Sequence, residues 1–197
     1  MAIIDTRRHQ MFPVLDAAQI ETAKRFASDT ARDFAPGAVV FEVGERFAPA
    51  WLVLKGSIEI MRRDGIDQVA AITTHGVGQF SGEVSQLAGR ASLASGRAGP
   101  EGCTALPFDA AHLRTLIVGA AELGEVVMRA FILRRVGLIE AGGSGSVLVG
   151  GLGAADLVRL QGFLARNGYP IPCWTPRRTP KAVRWWSGWE SCRRNCL

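Results

Sequence analysis

Between Gly78 and Ser92 the chain reads GQFSGEVSQLAGRAS, and these residue types suit the holding of an anion by backbone amides. Gly82 lets the backbone come close to a ligand. Val84, Ser85, Gln86 and Leu87 read as one short helical turn, and the free N–H groups at its start make an anion seat. Glu83 cannot face a phosphate in that seat, because the two charges repel; it must meet another part of the ligand, such as a sugar hydroxyl. The same stretch also suits a tight turn and a helical turn that close a β-barrel. Arg90 reads either as a cation for the anion or as a solvated loop arginine.

Little else in the chain could do chemistry. Three histidines (His9, His75, His112) cannot be assembled with a nucleophile and an acid into a catalytic set. No C-x-x-C pair occurs, and Cys192 and Cys196 without a nearby histidine make a poor zinc site. Cys103 stands alone in a strand-like run, as a small core residue would. Gly151-Leu152-Gly153 opens like a dinucleotide fingerprint, but Asp156 takes the place of the third glycine. No acid follows about 20 residues later either, so a packing turn at the head of an α/β unit fits better. These patterns favour a binding module over an enzyme.

The elements that must position the seat are mainly strands. Asp16 and Gln19 form a capping-box pair ahead of Ile20, Ala23, Phe26 and Ala27, which predicts a helix over 17–28. Pro36-Gly37 then opens an all-β section. Strand-like runs lie at about 38–43, 51–55, 57–62, 67–72, 91–97 and 103–106, divided by Gly44, Pro49, Gly56, Asp64-Gly65, Gly76-Val77-Gly78 and Gly99-Pro100. Short strands at near-regular spacing predict a small antiparallel barrel or jelly roll. Asp109 opens a helix through His112, Leu113 and Leu116, and a longer one follows over 121–140. The apolar residues of the longer helix, from Leu123 to Ile139, cover more than one stripe, which predicts two packing partners. One is the barrel; the other is a second copy of the chain, as in a homodimer, or a following domain. Gly142 to Ser146 reads as a linker, and residues 147–171 as strand, turn, helix, turn and the start of a second strand.

The 197 residues suffice for one full domain and part of another. No apolar run approaches the ~20 residues of a membrane helix, and MAIIDTRRHQMF has no signal-peptide core; a cytoplasmic protein is expected. Net charge is +5. Residues 173–197 hold six basic residues (Arg177, Arg178, Lys181, Arg184, Arg193, Arg194) against Glu190. Removing them from the chain's 23 basic and 18 acidic residues leaves 17 of each in residues 1–172. A neutral body argues against nucleic acid as a partner.

The stretch around Gly82-Glu83 resembles the phosphate-binding cassette of cyclic nucleotide-binding domains, F-G-E-(apolar)-A/S-x-L…R-(S/T)-A. With GEVSQL-x-GR, the later RAFILRR (129–135) and FLARNGYP (163–170) resemble a bacterial fusion family in which such a module precedes a thioredoxin reductase-like flavoenzyme. The resemblance covers roughly residues 12–171. It implies an α+β chain: a cyclic nucleotide-binding β-roll flanked by helices over 1–140, then a linker and a partial α/β unit over 141–172. It also implies a ligand-sensing regulatory module in which Gly82, Val84 and Ser85 offer amides to a cyclic phosphate and Glu83 binds the ribose 2′-hydroxyl. FAD and NADPH would belong to the flavoenzyme part, which this chain lacks. In the family pattern an arginine stands where this chain has Ser92, and Leu93 takes the neighbouring Ser/Thr place. Losing a charge-assisted hydrogen bond of about 1.5–3 kcal/mol weakens binding about ten- to 150-fold. Arg90, two residues earlier, substitutes only if the loop bends differently. A cyclic nucleotide-responsive transcription regulator shares the first domain, but needs a helix-turn-helix after the long helix.

From Cys173 the composition changes. Four of the five tryptophans (Trp174, Trp185, Trp186, Trp189) and three of the four cysteines fall here. The tail reads as a disordered basic segment, as an aromatic-basic nucleic-acid patch, or as translation in a shifted frame. The third reading fits best. Read one base over, GC-rich codons for residues 172–197 can spell an acidic, helix-capable stretch with an aspartate fixed by the Trp174–Thr175 junction.

Overall fold

Four consecutive residues, Ala50 to Val53, are each 3% exposed or less, which requires a strand covered on both faces. The computed structural model, which describes residues 7–63, 69–82, 86–87, 91–92, 94–140, 148–149, 154–166 and 173–174, shows how. Its chain divides into two units, residues 1–63 with 69–137 and residues 138–197 with 64–68. In the first unit α1 (Arg8–Met11) and α2 (Ala17–Lys24) precede β1 (Arg32–Phe34), β2 (Val39–Phe41), β3 (Ala50–Arg63), β4 (Val69–His75) and β5 (Ser95–Phe108). Helices α3 (Ala110–Gly119) and α4 (Ala121–Glu140) follow.

All five strands pair antiparallel in the order β1-β5-β3-β4, with β2 also on β5. Successive side chains of β3 point to opposite faces. Ala50 and Leu52 join Phe80, Phe108, Leu113, Leu116 and the α4 residues Leu123, Val127 and Phe131 in one apolar cluster. Trp51 and Val53 join Phe41, Ile58, Ile60, Ala98 and Ala105 in a second. Sheet and helices thus close on two cores, and β3 is the wall between them.

Several expected boundaries move. The runs 51–55 and 57–62 are one strand; the run expected at 91–97 starts only at Ser95 and joins 103–106 in another. Gly56 (φ +70°) and Gly102 (φ +76°) absorb the irregularity instead of ending strands. A Cβ on Gly56 would sit 2.1 Å from the Gly102 carbonyl oxygen, so the strands approach closely only because both positions lack side chains. Gly99-Pro100 is no turn either. With Ile58 opposite Ala98 and Gly56 opposite Cys103, residues 99–102 bulge out against Ser57 alone. The short β1 was not expected; only Phe34 in it is apolar.

The capping box is present, with Asp16 Oδ1 accepting from the Gln19 N–H at 2.8 Å and Gln19 Oε1 from the Asp16 N–H at 3.0 Å. The helix it starts ends at Lys24 and not at 28. Its last residues tighten into i→i−3 bonds such as Phe26 N–H to Ala23 O, because Ser28 donates through both N–H and Oγ to the Pro107 carbonyl. Asp109 caps α3 by accepting from the Ala111 and His112 N–H groups. Burial pushes its carboxyl up, but these bonds and the His112 ring outweigh that and hold it below the usual range.

In the second unit β6 (Leu148–Val149) pairs in parallel with β7 (Cys173–Trp174), and α5 (Ala155–Arg166) lies between them in sequence. The expected strand start at 169–171, the linker 142–146 and the Asp64-Gly65 turn lie outside the described residues. Strand β7 falls just beyond Pro172, where the composition changes.

Candidate functional site

The approach to the glycine turn is zipped onto β3. Gly78 N–H donates to Val53 O at 2.9 Å and Val53 N–H to Gln79 O at 3.0 Å. Ser81 N–H donates to Trp51 O at 2.7 Å, and Ser81 Oγ accepts from Trp51 N–H at 3.0 Å. Phe80 meets Phe108 edge-on at 5.0 Å between centroids. Gly78 takes φ +78° and lies so close to Leu15 that a Cβ would sit 2.8 Å from its carbonyl oxygen. The segment therefore reaches Gly82 with its register already set by the wall between the two cores.

Gly82 has φ +104°, a left-handed backbone that glycine adopts without strain. A Cβ there would be 3.1 Å from Cδ of Gln86, whose amide lies over this glycine and is buried. Beneath the turn is Arg134 of α4. Its Nη1 donates to Phe80 O at 2.7 Å and Gly82 O at 2.9 Å, and its Nε to Met11 O at 2.8 Å. Burial pulls the guanidinium down to about 9. His75, also buried, has its ring 5.8 Å from that of Phe12. Burial first, and the Arg134 charge second, push it down to about 3, so it is neutral at physiological pH.

Ser92 is placed differently. Its N–H donates to Glu45 O at 3.0 Å, its carbonyl accepts from Gly44 N–H at 2.8 Å, and its hydroxyl donates to Ala94 O at 2.7 Å. That hydroxyl proton is committed to the backbone, and the position carries no cation. Glu83, Val84, Ser85, Arg90 and Leu93, the remaining cassette residues, lie outside the described residues.

Of the expected site residues the structure thus places Gly82 at the turn and Ser92 on the Gly44–Glu45 segment. Ser81, Gln86, His75 and Arg134 were not singled out from the sequence for roles at the turn. Only the last had a usable signal: it falls on the buried stripe of α4 with Leu123, Val127 and Ala130. Among the described residues no His, Cys, Asp and Glu cluster could hold a metal ion, and no helix is long and apolar enough to cross a membrane.

Residues 31–119 match the family model of the cyclic nucleotide-binding domain. No curated protein matches the chain. Among solved structures, the catabolite activator protein of Thermus thermophilus superposes with a TM-score of 0.54 at 22% identity, over 67% of this chain and 60% of that one. A bacterial protein described with a cyclic-GMP-dependent signalling pathway that regulates phytopathogenesis superposes with a TM-score of 0.51 at 22% identity, over 63% of this chain and 96% of that one. Both share the fold, an antiparallel β-roll with helices. The chain spans 60% of the length of the Thermus protein.

Proposed function

We propose that the first unit is a regulatory module that senses a cyclic nucleotide at the Gly82 turn. The observation that carries this reading is the left-handed glycine, fixed to β3 through Ser81, inside a segment that matches the cyclic nucleotide-binding family. Backbone amides of Gly82, Val84 and Ser85 hold the cyclic phosphate, and Glu83 takes the ribose hydroxyl. Ser92 leaves the loop side without its cation, and Arg90, two residues earlier in sequence, substitutes only if the loop bends differently. A sensor acts through different affinities of its two states, and α4 is the element that moves.

The test is calorimetric titration with cyclic AMP and with cyclic GMP, the latter because one structural neighbour is described with a cyclic-GMP-dependent pathway. Wild type should bind with high-micromolar affinity or weaker. Ser92→Arg should bind at least ten times more tightly, by the value of a charge-assisted hydrogen bond. Submicromolar binding by wild type would show that no loop arginine is needed, and no heat from either protein with either nucleotide would end the reading.

The effector is read as a thioredoxin reductase-like flavoenzyme, on the strength of residues 129–135 and 163–170, and no residue of this chain is assigned to FAD or NADPH. A homodimer through α4 is supported by its outer face, where Ile132 is 47% exposed beside a groove of about 540 Å³ bordered by Ile117, Gly124 and Met128. The parallel β6/β7 pair with α5 between favours an α/β segment over a helix-turn-helix, so DNA binding is the second reading. The frame-shift reading of residues 173–197 rests on composition, and the gene's DNA across codons 165–197 decides it.

A further inference from the structure

Arg134 is 7% exposed, yet its described hydrogen bonds go only to uncharged carbonyls of Met11, Phe80 and Gly82. The rings of Phe12 and Phe131 lie 5.2 and 5.6 Å from its Cζ. None of the described ion pairs includes it. Its Nη2 is buried with no hydrogen-bond partner among the described residues. A buried charge is costly unless something of opposite sign answers it. His75 next to it, being neutral, only avoids making matters worse.

The position of this guanidinium says what the answer is. Nη1 joins the carbonyls of Phe80 and Gly82, the peptides that carry the chain into the anion seat. In the planar fork Nη2 is held beside Nη1, so a donor without a partner stands at the glycine turn. Guanidinium is also the side-chain cation that best matches phosphate oxygens.

We propose that Arg134 is a cation of the Gly82 anion seat, with the phosphate of a bound ligand as its counter-charge at Nη2, on the α4 side of the turn and separate from the loop position that Ser92 occupies. This rests on the reading of Gly82 as an anion seat. The guanidinium approaches from α4, beneath the turn, and is already oriented, so little side-chain freedom is lost on binding. Because the same side chain sits on α4, occupancy of the seat bears directly on that helix.

Thermal unfolding of the full chain at constant ionic strength tests this, with inorganic phosphate, cyclic AMP and cyclic GMP as probes against chloride. Phosphate should raise the wild-type midpoint, and Arg134→Gln should need about ten- to 150-fold more phosphate for the same rise, the value of one charge-assisted hydrogen bond. No phosphate response in wild type, or an unchanged response in Arg134→Gln, would overturn the assignment. Should Arg134→Gln fail to fold, Arg134→Lys keeps the charge but loses the fork; a response at least tenfold weaker supports the assignment and an unchanged one overturns it. A phosphate response that depends on Arg134, with neither nucleotide outperforming phosphate, would sustain this inference while ending the cyclic nucleotide reading.

Discussion

Acid should destabilise this protein through His75. The ring is buried, its Nδ1 has no hydrogen-bond partner among the described residues, and its pKa falls from an ordinary 6.5 to about 3, through burial first and the Arg134 charge second. An unfolded chain binds a proton here near pH 6.5 that the folded chain refuses until about pH 3. Between those values the unfolded state holds more protons, so stability is full above the unfolded pKa and is lost as pH falls. Each pH unit in that window is worth about 1.36 kcal/mol, roughly 5 kcal/mol in all and about 2 kcal/mol between pH 7 and pH 5. That is a large part of an ordinary domain's ~5–15 kcal/mol. Urea denaturation at pH 7, 6 and 5 reads it as a midpoint falling by about 1 M in wild type. His75→Gln, which cannot titrate, should start less stable and show a flatter dependence by that amount. Parallel pH dependences in the two proteins would refute the account of His75 as a buried neutral ring beside a buried cation.

Three further substitutions test the architecture. Gly56→Ala places a Cβ 2.1 Å from the Gly102 carbonyl at φ +70°, and should cost about 3 kcal/mol or more. Gly76→Ala meets nothing within 4 Å and should stay within about 0.5 kcal/mol of wild type; urea midpoints compare the two. Asp16→Ala removes the capping box from α2 and should cost about 1 kcal/mol, seen as a fall of a few degrees in Tm.

Local chemistry in the sequence mapped well onto the structure where one residue decides one contact. Asp16 and Gln19 predicted their own reciprocal bonds, and Gly76-Val77-Gly78 is the turn it was read to be, with Gln79 N–H donating to Gly76 O. Strand length was less legible. Gly56, Gly99, Pro100 and Gly102 carry ordinary turn chemistry, and only a partner strand decides whether they end a strand or bulge within it. Here Gly56, opposite Cys103, comes close to the Gly102 carbonyl in the bulge, and both strands run on. The end of α2 was likewise decided from afar, by the pull of Pro107 on Ser28.

The site itself was half legible for a related reason. Gly82 announces a left-handed turn by its residue type, and Ser92 marks a missing cation only through the cassette pattern that the stretch resembles. Neither residue shows that a buried arginine lies beneath the turn, because that depends on which face of α4 is inside. RAFILRR puts three arginines within seven residues of α4. Arg129 is exposed and paired with Glu125, four residues earlier. Arg134 lies instead seven residues after Val127 and four after Ala130, both buried, and so turns inward with them. An arginine on an otherwise apolar stripe needs polar partners, and the carbonyls of Phe80 and Gly82 take the hydrogen bonds of its Nη1. The contact that joins the Gly82 turn to the long helix therefore follows from the 3.6-residue period of α4, read together with a charge that breaks its pattern.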